Sequence, residues 1–152
     1  MDQPTASDAL AALEALVGEW DVEAHGPDGQ LWPGRGRSSI GWHPSGSHLV
    51  QHTTTTVPDA PDSVSIIGCD SASGTYVQLY SDERGVCRIY SMGMDEREWT
   101  LHRDGDPFPQ RFVGSIVDDG DTIEGRWEKD DTGTGFTVDF SLTYRRVRPG
   151  KG

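Results

Sequence analysis

The chain has 152 residues, with 19 Gly, 9 Pro, 25 acidic and 13 basic side chains and a formal charge of −12. That length suits one domain with one good core, and that charge repels phosphate backbones and anionic bilayers, which excludes nucleic acid and membrane surfaces as partners. No apolar run approaches the ~18 residues of a membrane span, and the start lacks the charged-then-apolar order of a signal segment.

Residues 1–6 are expected to be a flexible N-terminus. From Ser7 to Leu16 the residues favour a helix, with Ser7 or Thr5 as N-cap and Asp8 in the first turn. Leu10, Leu13, Leu16 and Val17 form one apolar stripe, and Gly18 ends the helix. A short amphipathic helix ahead of strands most simply closes one end of a barrel. In the first strand Trp20, Val22 and Ala24 alternate with Glu19, Asp21 and Glu23, which separates an inner from an outer face. The Gly/Pro-rich loop 26–34 carries Leu31 and Trp32, and a Trp there reads as a lid or plug. Ser38, Ile40 and Trp42 mark the inner face of a second strand. A Thr-rich third strand, 48–57, offers two sets, Leu49–Gln51–Thr53 and Val50–His52–Thr54, and its facing stays open.

The fourth strand spans Val64 to Asp70; a bulged three-residue loop at 72–74 would set Ile66 opposite Tyr80 and Gly68 opposite Gln78. Thr75 to Met94 is a β-hairpin. Gly85 supplies the positive φ of a three-residue loop, Asp82 pairs with Val86, and counting outward places Tyr80 opposite Arg88, Gln78 opposite Tyr90, and Tyr76 opposite Met92. These six side chains share one face, bulky and tipped with hydrogen-bonding groups, which suits a cavity wall better than a dry core. Next, Trp99, Leu101 and Arg103 face inward, and 104–109 cannot be regular strand. Asp119-Gly120 is a strong two-residue turn that places Ile116 opposite Ile123, Gly114 opposite Gly125, and Phe112 opposite Trp127. In the last strand, Phe136 to Val147, one face carries Phe136, Val138, Phe140, Leu142 and Tyr144 against Thr137, Asp139, Ser141 and Thr143, and residues 148–152 are a flexible tail.

About ten strands in series, with no second helix to cross over a parallel sheet, predict an all-β fold. The expected form is a closed antiparallel up-and-down barrel capped by the N-terminal helix, over residues 7–147. Such a barrel holds one small ligand. Cys69 and Cys87 fall in strands separated by a third, roughly 10 Å apart and too far for a disulfide. Two thiols and no zinc spacing fit a reducing cytoplasm.

Leu16-Val17-Gly18-Glu19-Trp20 resembles the Gly-x-Trp at the first strand of lipocalins and their calycin relatives. The resemblance implies a basic residue near the end of the last strand that covers this Trp, here Arg145 or Arg146. From Leu10 to Val147 the chain is similar to a family of uncharacterised lipocalin-like bacterial proteins. The residues that carry this are Tyr80-x-Asp82-x-Arg84-Gly85-Val86-x-Arg88-x-Tyr90, Gln110-Arg111-Phe112 and Gly125-Arg126-Trp127-Glu128. The resemblance implies a fold more than an activity. The chain lacks the disulfide and the Thr-Asp-Tyr type motif of secreted lipocalins. It also looks, distantly, like nitrobindin-like haem barrels, but those hold iron through a His near the chain's end, and here the last is His102.

The candidate ligand-binding residues are Gln78, Tyr80, Arg88, Tyr90, Arg103, Gln110 and Trp127. An inward arginine needs an anion or several acceptors. Asp82 is one candidate partner for Arg88 and Arg103, and a ligand carboxylate, phenolate or phosphate is the other. No metal or cofactor is expected: His48 and His52 would lie about 13 Å apart along a strand. The expected partner is therefore a small molecule, apolar or aromatic with an acidic group, and a homodimer is left open. The alternatives are an enzyme on the same barrel, an isomerase or cyclase using Tyr80 or Tyr90 as acid, with His52 as base, or a haem or nitric-oxide binder. No catalytic residue is assigned.

Overall fold

A computed structural model describes residues 7–105 and 108–148. The flexible N-terminus expected at 1–6, residues 149–152 of the tail expected at 148–152, the candidate cap Thr5, and residues 106 and 107 of the irregular loop lie outside the described residues.

The N-terminal segment begins as helix α1, Ser7–Ala12, and tightens into a 3₁₀ turn, Leu13–Leu16. Ten strands follow: β1 Gly18–His25, β2 Gly36–Trp42, β3 Leu49–Thr55, β4 Ser63–Asp70, β5 Thr75–Asp82, β6 Cys87–Met94, β7 Glu98–Arg103, β8 Gln110–Val117, β9 Thr122–Lys129 and β10 Thr137–Arg146. Each pairs antiparallel with its chain neighbours, and β1 pairs with β10, so the sheet closes into a barrel. Closure leaves no open sheet edge. Period-two alternation decides what lies inside. Trp20, Val22 and Ala24 of β1, Ser38 and Ile40 of β2, and Trp99 and Leu101 of β7 are all buried. For β3 the inner set is Leu49–Gln51–Thr53, and His52 is exposed.

The α1 stripe plugs one end of the barrel. Leu13 and Leu16 are fully buried, Tyr76 Oη donates to the Ala9 carbonyl at 2.6 Å, and Trp42 Nε1 donates to Glu14 at 2.6 Å. The Arg146 guanidinium lies 4.2 Å over the Trp20 ring and donates to the carbonyls of Ala15 and Gly120, both at 3.1 Å, and of Val17. Of the two arginines expected near Trp20, Arg146 is the one that covers it.

Two hairpins fold in the expected register. Tyr80 stands opposite Arg88, Gln78 opposite Tyr90, and Tyr76 opposite Met92, with Gly85 at φ 85°. Phe112 stands opposite Trp127 across a turn with positive φ at Asp119 and Gly120. Two expectations are corrected. Between β4 and β5 the loop has four residues, because Asp70 pairs with Thr75 and its side chain accepts from the backbone N–H of Ala72 and Ser73. The register moves by one: Ser65 meets Tyr80, Ile67 meets Gln78, and Ile67 is buried while Ile66 is 42% exposed. In β10 the pairing shifts between Val138 and Phe140, where Asp139 is the extra residue of a bulge. A bulge inverts facing beyond it. Val138 therefore stands beside outward Glu128, and the Phe136 ring packs 4.2 Å from the outward Arg111 guanidinium.

Outward positions divide unevenly. On β1 they are Glu19, Asp21 and Glu23, and on β9 Glu124, Arg126 and Glu128. On β4 to β6 they are Val64, Ile66, Gly68 and Asp70, then Thr75, Val77, Leu79 and Ser81, then Cys87, Ile89, Ser91 and Gly93. Both cysteines are free, and among the described residues no helix is long and apolar enough to cross a membrane.

Candidate functional site

With one end plugged, the barrel encloses a cavity of about 600 Å³ that opens at the other end. That mouth is where β1, β3, β5, β7 and β9 finish and the next strand begins. Two hydrogen-bonded polar groups and one aromatic wall line the interior, and a third polar group stands at the mouth.

The first group sits on β6 and β8. Gln110 is buried, and its Oε1 accepts from Arg88 Nη1 and from Tyr90 Oη, each at 2.8 Å. The strands impose this meeting: Gln78 faces Tyr90 across one ladder, and Arg103 faces Gln110 across another. Burial raises the Tyr90 pKa, only partly offset by Arg88, so the phenol stays protonated and donating. The Phe108 ring lies 5.2 Å from the Arg88 guanidinium. Arg88 has no carboxylate partner within ion-pair distance among the described residues, and its only side-chain acceptor there is a neutral amide.

The second group runs across β2 to β5. Gln51 Nε2 donates to Ser38 Oγ at 2.9 Å, Ser38 shares a 3.0 Å bond with Thr53, and Gln78 Nε2 donates to Ser65 Oγ at 3.2 Å. Gln78 Oε1 is buried and has no hydrogen-bond partner among the described residues. The aromatic wall is built on Trp127, whose ring lies 5.1 Å from Phe112, 5.4 Å from Tyr90 and 6.5 Å from Phe140. Trp32 from the loop after β1 closes against Phe140 at 5.7 Å, which makes it a cover on the cavity mouth.

The expected site residues Gln78, Tyr80, Arg88, Tyr90, Gln110 and Trp127 all line this one cavity. Arg103 does not. It is half-buried at the end of β7, with its Nε buried and lacking a partner among the described residues. The expected pairing of Asp82 with Arg88 or Arg103 is corrected. Asp82 is bound by Arg84, whose Nη2 and Nε lie at 2.7 and 3.2 Å, and by the Tyr80 hydroxyl at 2.7 Å. Arg84 above all holds the Asp82 carboxyl well below the usual carboxylate range. Burial, reinforced by the bond to Asp82, raises the Tyr80 pKa.

Sequence reasoning missed Arg84, Phe108 and Asp139 at the mouth. Arg84 lies two residues from Asp82 in the same turn, and a turn brings such neighbours together without strand alternation. His52 and His102 are exposed on the outer wall, and no group of three metal-ligating side chains forms among the described residues.

The sequence matches no protein-family profile and no curated protein. Among solved structures, the chain is similar to the crystal structure of Rv2717c from M. tuberculosis. The two superpose with a TM-score of 0.66 over 92% of this chain and 98% of that one, at 16% identity. A second match, a protein of unknown function from the DUF3598 family of Nostoc punctiforme, reaches a TM-score of 0.28 at 7% identity over 97% and 100% of the two chains. The first likeness establishes a shared barrel fold; fold alone does not carry an activity.

Proposed function

We propose that the barrel binds one small molecule, apolar or aromatic in its body, with an acidic group held by Arg88. The observation that carries this reading is a guanidinium lining a half-enclosed cavity whose nearest acceptor is the uncharged Gln110 amide. A guanidinium in such surroundings gains most from an anion. An incoming carboxylate would accept from Arg88 and from the neutral Tyr90 hydroxyl, whose proton would turn to it from Gln110 Oε1. Its body would lie along the wall of Trp127, Phe112 and Phe140, under Trp32. Each charge-assisted bond contributes roughly 1.5–3 kcal/mol, and apolar burial adds about 25 cal/mol per Å². The protein is a lipocalin-like barrel of the calycin kind on this reading. The arginine-covered Trp20 beside the plugged end supports that placement. Two unbridged thiols suit a cytoplasmic setting.

The test is a titration of tryptophan fluorescence with a naphthoic acid and with its methyl ester. The acid should bind more tightly. Arg88→Met, which keeps most of the side-chain volume, should weaken the acid by about tenfold, equivalent to ~1.4 kcal/mol, and leave the ester nearly unchanged. Equal affinity for acid and ester, or no loss in Arg88→Met, would reduce the cavity to a general apolar sink.

A further inference from the structure

We propose that the outer wall of β4, β5 and β6 is the contact through which two copies of this chain form a dimer. Three independent features of that wall meet there. It is apolar where it should be wet: Ile89 is 62% exposed, Ile66 42%, Val64 40% and Val77 36%. These side chains are contiguous, because Ile66 lies opposite Leu79, and Leu79 opposite Ile89, in adjacent ladders. An apolar row spanning three strands differs from scattered surface hydrophobes, and contiguous patches of this kind mark contacts.

The second feature is charge. The chain carries −12 overall, yet the outward positions from Val64 to Gly68, Val77 to Ser81 and Cys87 to Ser91 hold no Asp, Glu, Lys or Arg. The opposite wall, on β1 and β9, carries Glu19, Asp21, Glu23, Glu124 and Glu128, with Asp21, Glu23 and Glu128 paired to arginines. A basic protein partner would seek carboxylates, and this patch offers it none. Two copies of an acidic chain can instead approach each other at close range only where neither presents carboxylates, and this is the wall that meets the condition. The third feature is extent. With strands ~4.8 Å apart and a two-residue repeat of ~6.7 Å, the uncharged wall of β4 to β6 is on the order of 300 Å² in projection. A standard interface buries ~800 Å² per partner, so this patch forms the centre of the contact and the flanking faces of β3 and β7 its rim. A two-fold axis near Ile89 would bury the same patch on both copies.

The contact leaves the cavity mouth free, so it is independent of what the cavity binds. Light scattering across a concentration series should show the mass rise from 16.6 kDa toward twice that value. Added salt should favour the dimer, since it screens the mutual repulsion of two acidic copies. Ile89→Glu, at a site exposed enough to accept the charge without disturbing the barrel, should hold the protein at the monomer mass with an unchanged circular dichroism spectrum. Ser141→Glu, on β10 across the barrel and beside Arg126, should leave the dimer intact. The exposed Cys87 thiol, inside the patch, should react with a maleimide several-fold more slowly in the dimer than in Ile89→Glu. A wild-type protein that stays monomeric at ~100 µM in 0.5 M salt, on the scale where standard interfaces hold, overturns the proposal. So does a dimer that survives Ile89→Glu.

Discussion

Asp82 sits at the rim of the barrel with a side chain fully shielded from solvent, and it accepts from five donors. Arg84 reaches it through Nε and Nη2, Tyr80 through its hydroxyl, and the Arg84 and Val86 backbone N–H groups complete the set. The backbone bonds tie the β5–β6 turn to its own strand end, so one carboxylate both shapes the hairpin and aims Tyr80 into the cavity. A carboxyl held below its unfolded pKa of about 3.9 contributes its full stability above that value and loses it as pH falls through the folded value. Asp82→Asn should therefore cost about 1–2 kcal/mol near neutral pH, the low end for charge-assisted bonds because Arg84 is half-exposed. The difference between wild type and variant should shrink steadily below about pH 4. Denaturant unfolding at neutral pH and at pH 3 measures both; a difference that does not shrink in acid would remove Asp82 as its source.

The β8–β9 ladder shows how two adjacent glycines shape one wall. Gly114 lies opposite Gly125, and the Phe112 ring lies against both: a Cβ on Gly125 would stand 2.5 and 2.6 Å from ring atoms, and one on Gly114 2.9 Å. The ring cannot swing away, since Trp99 at 5.2 Å and Trp127 at 5.1 Å hold it. Gly125→Ala should cost about 1–3 kcal/mol by overpacking, lowering Tm by several degrees, and a Tm within a degree of wild type would mean the ring repacks freely. Both this ladder and the β5–β6 hairpin were legible in the sequence, because Asp119-Gly120 and Gly85 fix their turns and alternation carries the register outward. The cavity residues Gln78, Tyr80, Arg88 and Tyr90 followed from that counting alone. Where the count failed, the cause was local and silent in composition. Asp70 closes a four-residue turn with side-chain bonds, moving β4 by one, and the bulge at Asp139 turns Phe136 and Val138 outward. Facing in β3 was undecidable because Leu49–Gln51–Thr53 and Val50–His52–Thr54 are equally mixed, and only closure against β2 and β4 chooses between them.

The molecule as a whole divides its work between two ends, and Arg146 allows that division to be tested. At the plugged end its guanidinium bridges segments far apart in the chain: the 3₁₀ turn at Ala15 and Val17, the β8–β9 turn at Gly120, the Trp20 ring, and Asp121 at 3.3 Å. These contacts join the first and last strands, the seam on which closure depends. The cavity and its arginine lie toward the opposite mouth, so stability at the seam and binding at the mouth should respond separately. Arg146→Met keeps the packing over Trp20 and removes three bonds to carbonyls, the Asp121 ion pair and the cation–π contact, a loss of about 3 kcal/mol. In a domain of this size that lowers Tm by roughly 6–12 °C. Arg146→Lys, which keeps the charge and loses the fork, should fall between the two. At a temperature where all three proteins are folded, affinity for the naphthoic acid should stay within about twofold, a change of only ~0.4 kcal/mol. Parallel loss of Tm and affinity would show instead that the two ends are coupled through the barrel wall.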